Sequence, residues 1–236
     1  MTLEEFKKEL EKLNIVLNDK QVEKFNTYAS YLKEYNEKIN LTAITEYEEV
    51  LDKHFYDSLL CVDRNIQGTL VDVGSGAGFP GVVLKIVFPD LKVILLEPIN
   101  KRCVFLNSLI EKLQLNNIEV VNARAEDYSL THREEYDYVT ARAVSNLNAL
   151  IEVCGAMVKV NGYFIALRGK DGLSEIEGAA AAIKTMGFKV EKTFKKCLFD
   201  GSSRVVSYFK KIAKTEKKYP RKYSIIKART LWKRKL

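Results

Sequence analysis

Val71-Asp72-Val73-Gly74-Ser75-Gly76-Ala77-Gly78-Phe79-Pro80-Gly81 is the stretch whose reading decides the fold. An apolar run from Leu70 to Val73 enters it, with one acid, Asp72, inside. Glycines at every second position follow, and then an apolar, helix-compatible segment from Val82 to Val87. This pattern predicts a strand, a tight glycine-rich turn and a helix. A turn without Cβ atoms lets a bulky ligand approach the backbone. The helix that follows aims its free N-terminal N–H groups at that turn. Gly76-x-Gly78-x-x-Gly81 formally matches a dinucleotide fingerprint, which seats a pyrophosphate on the helix N-terminus. Asp72 tilts the reading the other way. A carboxylate two residues before the first glycine suits a cationic ligand, and S-adenosylmethionine carries a sulfonium, an ammonium and no phosphate.

A second acid supports a nucleoside. Lys92 to Leu96 reads as a buried strand, and Glu97 ends it. It lies about 20 residues beyond the glycines, where a doubly wound sheet places an acid on ribose hydroxyls. Dehydrogenases and methyltransferases share that acid, so it identifies a ribose and not a reaction.

Outward from these anchors, strands and helices alternate. Strands are predicted at 69–73, 92–96, 118–122, 136–141 and 160–167, and helices at 80–88, 100–114, 146–157 and 173–186. Such βαβ repetition specifies a mostly parallel sheet covered on both faces. Two final strands, 188–196 and 203–211, have only a short turn between them and must form an antiparallel hairpin. Seven strands ending in a hairpin define the methyltransferase variant of the Rossmann-like sheet, the class I S-adenosylmethionine-dependent fold. Ahead of it, Thr2-x-x-Glu5 and Asn18 with Gln21 read as capping signals for two helices. Thr45-x-x-Glu48 reads as the cap of a third helix, with Leu51, Phe55, Leu59 and Val62 on its stripe. The expected organisation is a helical extension over 1–62, a methyltransferase domain over 63–212 and a basic tail over 213–236.

With 236 residues, 47% hydrophobic and 29% charged, the composition is that of a soluble globular chain. No apolar run has the length of a membrane helix, and the acidic N-terminus is unlike a secretion signal. Cys61, Cys103, Cys154 and Cys197 are widely spaced, which argues against a zinc site or a disulfide framework. No metal, a cytoplasmic location and a monomer are the expectations. The net charge of +7 is uneven: residues 210–236 hold twelve Lys or Arg and one acid, so the remainder sums to −4. A basic end on a mildly acidic body points to a polyanionic partner.

Ligands of such sheets bind at the carboxyl ends of the strands. Gly74 to Phe79, Glu97, Ala125-Glu126 and Arg142 fall there. Glu126 is placed to meet an adenine edge, and Arg142 stands at the mouth of the site. A salt bridge from Arg142 to Glu126 or Asp127 is the competing expectation for that residue. Lys101, Arg102, Arg124 and Lys170 cluster on the same rim, joined by Arg221 and Lys222 from the tail, and are candidates for holding RNA phosphates.

The segments Tyr35-Asn36-Glu37-Lys38-Ile39-Asn40-Leu41-Thr42-Ala43-Ile44, Lys53-His54-Phe55-Tyr56-Asp57-Ser58-Leu59 and Val71 to Gly81 carry a resemblance. So do Asn100-Lys101-Arg102, Arg124-Ala125-Glu126-Asp127, Arg142-Ala143-Val144 and Gly162-Tyr163-Phe164-Ile165-Ala166-Leu167. Over about residues 28–222 the chain resembles the bacterial 16S ribosomal RNA guanine-N7 methyltransferases of the G type, also called glucose-inhibited division protein B. The resemblance implies S-adenosylmethionine as cofactor, 16S rRNA of the small ribosomal subunit as partner, and direct methyl transfer to a guanine N7. It implies cofactor contacts at Gly74, Gly76, Phe79, Glu97, Ala125, Glu126 and Arg142. Glu97 stands where many members have Asp, and the ending from Lys227 to Leu236, with Trp232, departs from the family's short one. Guanine N7 has a lone pair and no proton, so no Ser, Cys or His nucleophile is expected, and Arg142 is the candidate orienting residue. His54 and Asp57, three apart, are read either as lining the substrate opening or as a local helical pair. Alternatives are a methyltransferase of another RNA or a small substrate, a non-catalytic RNA-binding assembly protein, and an NAD-dependent oxidoreductase.

Overall fold

The structure is a computed structural model that describes residues 1–62, 66–142 and 146–231. Ala143, Val144 and Trp232, named above, lie outside the described residues. The chain opens with α1 (Leu3–Glu11) and α2 (Asp19–Asn36). Both expected capping boxes are formed, by Thr2 with Glu5 and by Asn18 with Gln21. Each satisfies two N-terminal backbone donors reciprocally.

The third helical stretch differs from the reading. It begins as α3 (Tyr47–Val50), capped by Glu46 without a side-chain bond, so Thr45 plays no capping role. It then widens into a π-helical segment, Leu51–Tyr56, before closing as α4 (Asp57–Leu59). One extra residue per turn rotates the side chains past regular α spacing, a feature that clusters at functional sites.

Alternation then follows: β1 (Thr69–Val73), α5 (Gly81–Val87), β2 (Lys92–Leu96), α6 (Asn100–Lys112), β3 (Ile118–Val121) and α7 (Ala125–Thr131). It continues through β4 (Tyr136–Arg142), α8 (Leu147–Gly155), β5 (Val158–Arg168), α9 (Gly172–Gly178), α10 (Ala180–Thr185), β6 (Phe188–Cys197), β7 (Ser203–Lys211) and α11 (Tyr223–Ala228). The sequence reading missed α7 and α11, each under two turns and too short to show a period. It also joined α9 and α10, which break at Gly178 and Ala179, where glycine is a poor helix former.

The seven strands run in the order β3-β2-β1-β4-β5-β7-β6. All neighbours are parallel except around β7, which is antiparallel to both β5 and β6. The expected terminal hairpin is therefore present, with its last strand inserted between β5 and β6. The order reverses between β1 and β4, and that switch point is where a cleft opens.

Two cores cover the sheet. Leu70, Val93, Leu95, Ile165, Val206 and Tyr208 join α5, α6 and the N-terminal helices on one face. Val71, Val73, Ile94, Leu96, Val139, Phe164 and Phe209 join α8 and α10 on the other. Alternate strand residues go to opposite faces, and both faces are apolar, as parallel sheets require. The helices of residues 1–62 share the first core through Phe6, Leu10, Phe25, Leu32 and Phe55, all 0% exposed. Asp52 ties this layer to the far hairpin by accepting the Phe199 and Asp200 N–H groups at 2.8 and 3.1 Å.

Candidate active site

A cleft of about 510 Å³ lies across the carboxyl ends of β1, β2, β3 and β4. That is within the range of small-molecule sites. Its floor is the β1–α5 turn. The Gly74 and Ser75 N–H groups bond the Leu96 carbonyl at 2.8 and 3.3 Å, stitching the turn to the end of β2. Gly76, at φ +59°, donates its N–H to the Glu97 carboxylate at 2.9 Å. A Cβ on Gly76 would meet nothing nearer than the Gly74 carbonyl oxygen at 3.8 Å, so the backbone there is open to a ligand.

Gly81 has the opposite job. A Cβ there would fall 2.5 Å from a Leu95 methyl and 2.8 Å from the Asp72 carboxylate. The absence of a side chain lets the helix start lie flat on the sheet. Asp72 is 0% exposed and does not line the cleft. Its Oδ2 accepts the Gly81 N–H at 2.9 Å, while Oδ1 has no partner. Burial raises its pKa to about 6, against the opposing bond from Gly81. This corrects the reading of Asp72 as a contact for a cationic ligand. Its side chain follows Leu70 to the α5 face of the sheet, because strand residues two apart share a face. Its bearing on phosphate survives in another form. Asp72 already fills the helix N-terminus that a pyrophosphate would need.

Glu97 is 1% exposed and lines the cleft. Its two oxygens accept the Gly76 and Ile99 N–H groups, both at 2.9 Å. A carboxylate oxygen has two acceptor sites, so each keeps one for a hydroxyl pair. Arg102 approaches to 4.0 Å.

Phe79 is the hub of the charged end. Tyr28 stacks on it at 5.4 Å and His54 at 4.4 Å, and the Arg142 guanidinium lies 4.9 Å from its centroid. A partly desolvated cation over a ring is worth about 1–2 kcal/mol. The neighbouring peptide Phe79–Pro80 is cis. His54 Nε2 lies 2.8 Å from the Thr42 hydroxyl and Nδ1 lies 3.1 Å from the Lys53 carbonyl. Those partners suit a neutral ring that donates from Nδ1 and accepts at Nε2. Burial, reinforced by the Arg142 charge, lowers the His54 pKa to about 4.

Arg142 pairs with neither Glu126 nor Asp127. It donates to Asp57 at 3.0 Å, and Asp57, 5% exposed, also accepts from Arg204 Nε at 2.7 Å. His54 and Asp57 are therefore not bonded to each other. The sequence signal for both was present as a motif, but their side-chain partners are 12 to 147 residues away.

The other end of the cleft is apolar. Ala125, Ala149, Leu150, Val153 and Tyr223 line it, with Glu126 at its edge. Tyr223 comes from the tail and was missed. Among the expected rim cations, Arg102 and Arg124 line the cleft, and Arg124 stands 3.9 Å from Glu126. Lys101, Lys170 and Lys222 are exposed and outside the lining. Arg221 departs from expectation. It binds Glu152, which is 0% exposed, with guanidinium bonds of 2.7 and 2.6 Å and a backbone bond of 3.0 Å. A buried carboxylate needs such a partner, so this cation is engaged within the fold.

Cys61, Cys103 and Cys154 are buried, and burial pushes their thiols up, away from the nucleophilic thiolate. Among the described residues no group of His, Cys, Asp or Glu is arranged to hold a metal, and no helix is long and apolar enough to cross a membrane.

Comparison with known proteins bears on the fold and the family. Among solved structures, M. jannaschii TYW2 in complex with AdoMet aligns at TM-score 0.54 and 16% identity, over 66% of this chain and 75% of that one. A 16S rRNA (adenine(1408)-N(1))-methyltransferase from Catenulisporales acidiphilia aligns at 0.52 and 14%, over 71% and 92%. At such identities they share the fold, that of class I S-adenosylmethionine methyltransferases. The ribosomal RNA small subunit methyltransferase G of Lysinibacillus sphaericus is 44% identical over 228 residues, covering 94% of this chain and 96% of the relative. The family profile of rRNA small subunit methyltransferase G, GidB, matches residues 21–219. With the profile spanning most of the chain and such identity along it, the chain belongs to the rRNA small subunit methyltransferase G family.

Proposed function

We propose that the protein transfers a methyl group from S-adenosylmethionine to N7 of a guanine in 16S rRNA of the small ribosomal subunit, acting as a monomer in the cytoplasm. The observation that carries the reading is the Glu97 carboxylate at the end of β2, with its oxygens held by Gly76 and Ile99 inside the cleft. Its fit to a ribose, the open backbone at Gly76 and the helix terminus closed by Asp72 favour a phosphate-free nucleoside over a dinucleotide. The reading takes residues 1–62 as a helical extension, 63–212 as the methyltransferase domain and 213–236 as a basic tail.

The cofactor supplies an electrophilic methyl group on a sulfonium. Gly74, Gly76 and Phe79 would bound its amino-acid end, Glu97 its ribose, and Ala125 with Glu126 its base. Guanine N7 offers a lone pair in the plane of the ring, so no residue has to remove a proton before attack. The protein's work is alignment and exclusion of water, for which positioning supplies about 7–11 kcal/mol. Arg142 provides N–H donors at the charged end and orients the base or the cofactor carboxylate. Asp57 accepts from that guanidinium at 3.0 Å and offsets part of the charge that would oppose the one developing on the guanine ring. His54, neutral above about pH 4, adds none. Arg102, Arg124, Lys101, Lys170 and Lys222 would hold RNA phosphates, and binding would then weaken steeply with salt.

The test is transfer of label from methyl-labelled S-adenosylmethionine to small-subunit RNA that lacks the modification, followed by nucleoside mapping. Label in 7-methylguanosine of 16S rRNA is the expected result. Label confined to another base, or none transferred while the cofactor is bound, overturns the reading.

A further inference from the structure

The tail reaches the cleft at Tyr223, and it is fixed there. Arg133 donates to the Thr215 and Tyr219 carbonyls at 3.1 and 2.6 Å. Lys211, 0% exposed, donates to the Gly155 and Met186 carbonyls, each at 2.7 Å. Arg221 clamps onto Glu152 of α8. Ile226, 0% exposed, packs on Ala149 and Val153 with Ala125 beside it. Between the clamp and that anchor stands Tyr223, which is 38% exposed and lines the cleft. The family profile stops at residue 219, four residues before Tyr223.

Chemistry sorts the two ends of the cleft. Phe79, His54 and the Arg142–Asp57 pair sit at the end of β4. Ala125 opens α7 after β3, three strand positions away in the sheet. At about 4.8 Å per strand that is roughly 14 Å, the span of an extended nucleoside with an amino-acid arm. α8 packs across α7 and brings Ala149, Leu150 and Val153 to that far end. A ligand that is charged at one end and a flat purine at the other is matched end for end. Glu97 lies at β2, between them.

We propose that Tyr223 packs its ring against the adenine of bound S-adenosylmethionine, so that the C-terminal segment forms a wall of the cofactor site. The Glu152–Arg221 pair is the positioning element that holds this wall. An aromatic face suits a purine because stacking needs no specific hydrogen bonds. The inference rests on the cofactor reading given above and extends it to the C-terminal segment.

The test uses the full chain and two ligands. S-adenosylhomocysteine carries the whole skeleton, and 5′-methylthioadenosine keeps the adenosine and lacks the amino acid. Tyr223→Ala is expected to weaken both by the same factor, roughly 5- to 100-fold. Tyr223→Phe should stay within about twofold, since the ring is what is used. Arg221→Gln is expected to raise the cofactor KM and leave kcat in place, which loss of folded protein alone would not do. Equal affinities of wild type and Tyr223→Ala for both ligands overturn the inference. So does a loss confined to S-adenosylhomocysteine, which would put Tyr223 at the amino-acid end. Failure of the wild type to bind S-adenosylhomocysteine overturns the cofactor reading beneath it instead, so the two failures are distinguishable.

Discussion

Asp57 in the N-terminal layer and Glu152 on α8 clamp the cleft from opposite sides. Both are buried carboxylates, and both hold arginines from distant parts of the chain. Asp57 holds two, Arg142 from β4 and Arg204 from β7, and Arg142 reaches into the cleft over Phe79. Glu152 holds one, Arg221, whose side chain is 22% exposed. Burying an ion pair costs about as much desolvation as its attraction returns, so such pairs are weak stabilisers but expensive to break. What they contribute is geometry. The first clamp fixes a charged group at the β4 end of the cleft, and the second fixes a strap along the other.

The largest expected effect is at the first clamp. Asp57→Ala leaves two guanidiniums without their carboxylate and should cost about 3–5 kcal/mol in urea unfolding. Equal stability of variant and wild type would break the comparison, because the clamp would then hold nothing. Glu152→Ala should cost less, about 1–3 kcal/mol, since Arg221 can turn to water. It should also make the tail after Lys214 easier to cleave with trypsin while the body stays protected. The double variant should be additive within about 0.5 kcal/mol, as expected for sites without shared partners. A larger coupling would mean that the two clamps are one network.

A smaller effect sharpens the contrast within the charged end. His54, with its pKa lowered to about 4, contributes stability that is full above about 6.5 and is lost as the pH falls toward 4. Asp72, with its pKa raised to about 6, is destabilising when ionised, so its contribution improves as the pH falls from 6 toward 3.8. Between pH 4 and 6 the two slopes oppose each other. Asp72→Asn should therefore steepen acid destabilisation, and His54→Gln should flatten or reverse it, each on the order of 1 kcal/mol. Unfolding measured from pH 4 to 7 checks the signs, and parallel slopes in all three proteins would contradict them.

Local signals in the sequence carried the frame. The strand–turn–helix at 69–87, the hairpin at 188–211 and two capping boxes were legible because each depends on residues within a few positions. Glu97 was legible for the same reason. Asp72 was found but misread, because which sheet face a strand residue takes is fixed by what packs on each side. The Asp57 partnership with Arg142 and Arg204 and the Arg221–Glu152 clamp join residues distant in sequence. No spacing rule reports such pairs. Tyr223 was hidden in a run of lysines and arginines that reads as one solvated charge cluster, although Ile226 is 0% exposed.

The central claim is that Glu97 and the Gly74–Phe79 turn form a site for a nucleoside without phosphate. Calorimetric titration of the wild type and Glu97→Ala with S-adenosylhomocysteine and with NAD tests it most directly. The account predicts one S-adenosylhomocysteine per chain, affinity weakened at least about tenfold in Glu97→Ala, and no heat from NAD. Binding of NAD by the wild type without binding of S-adenosylhomocysteine would contradict it.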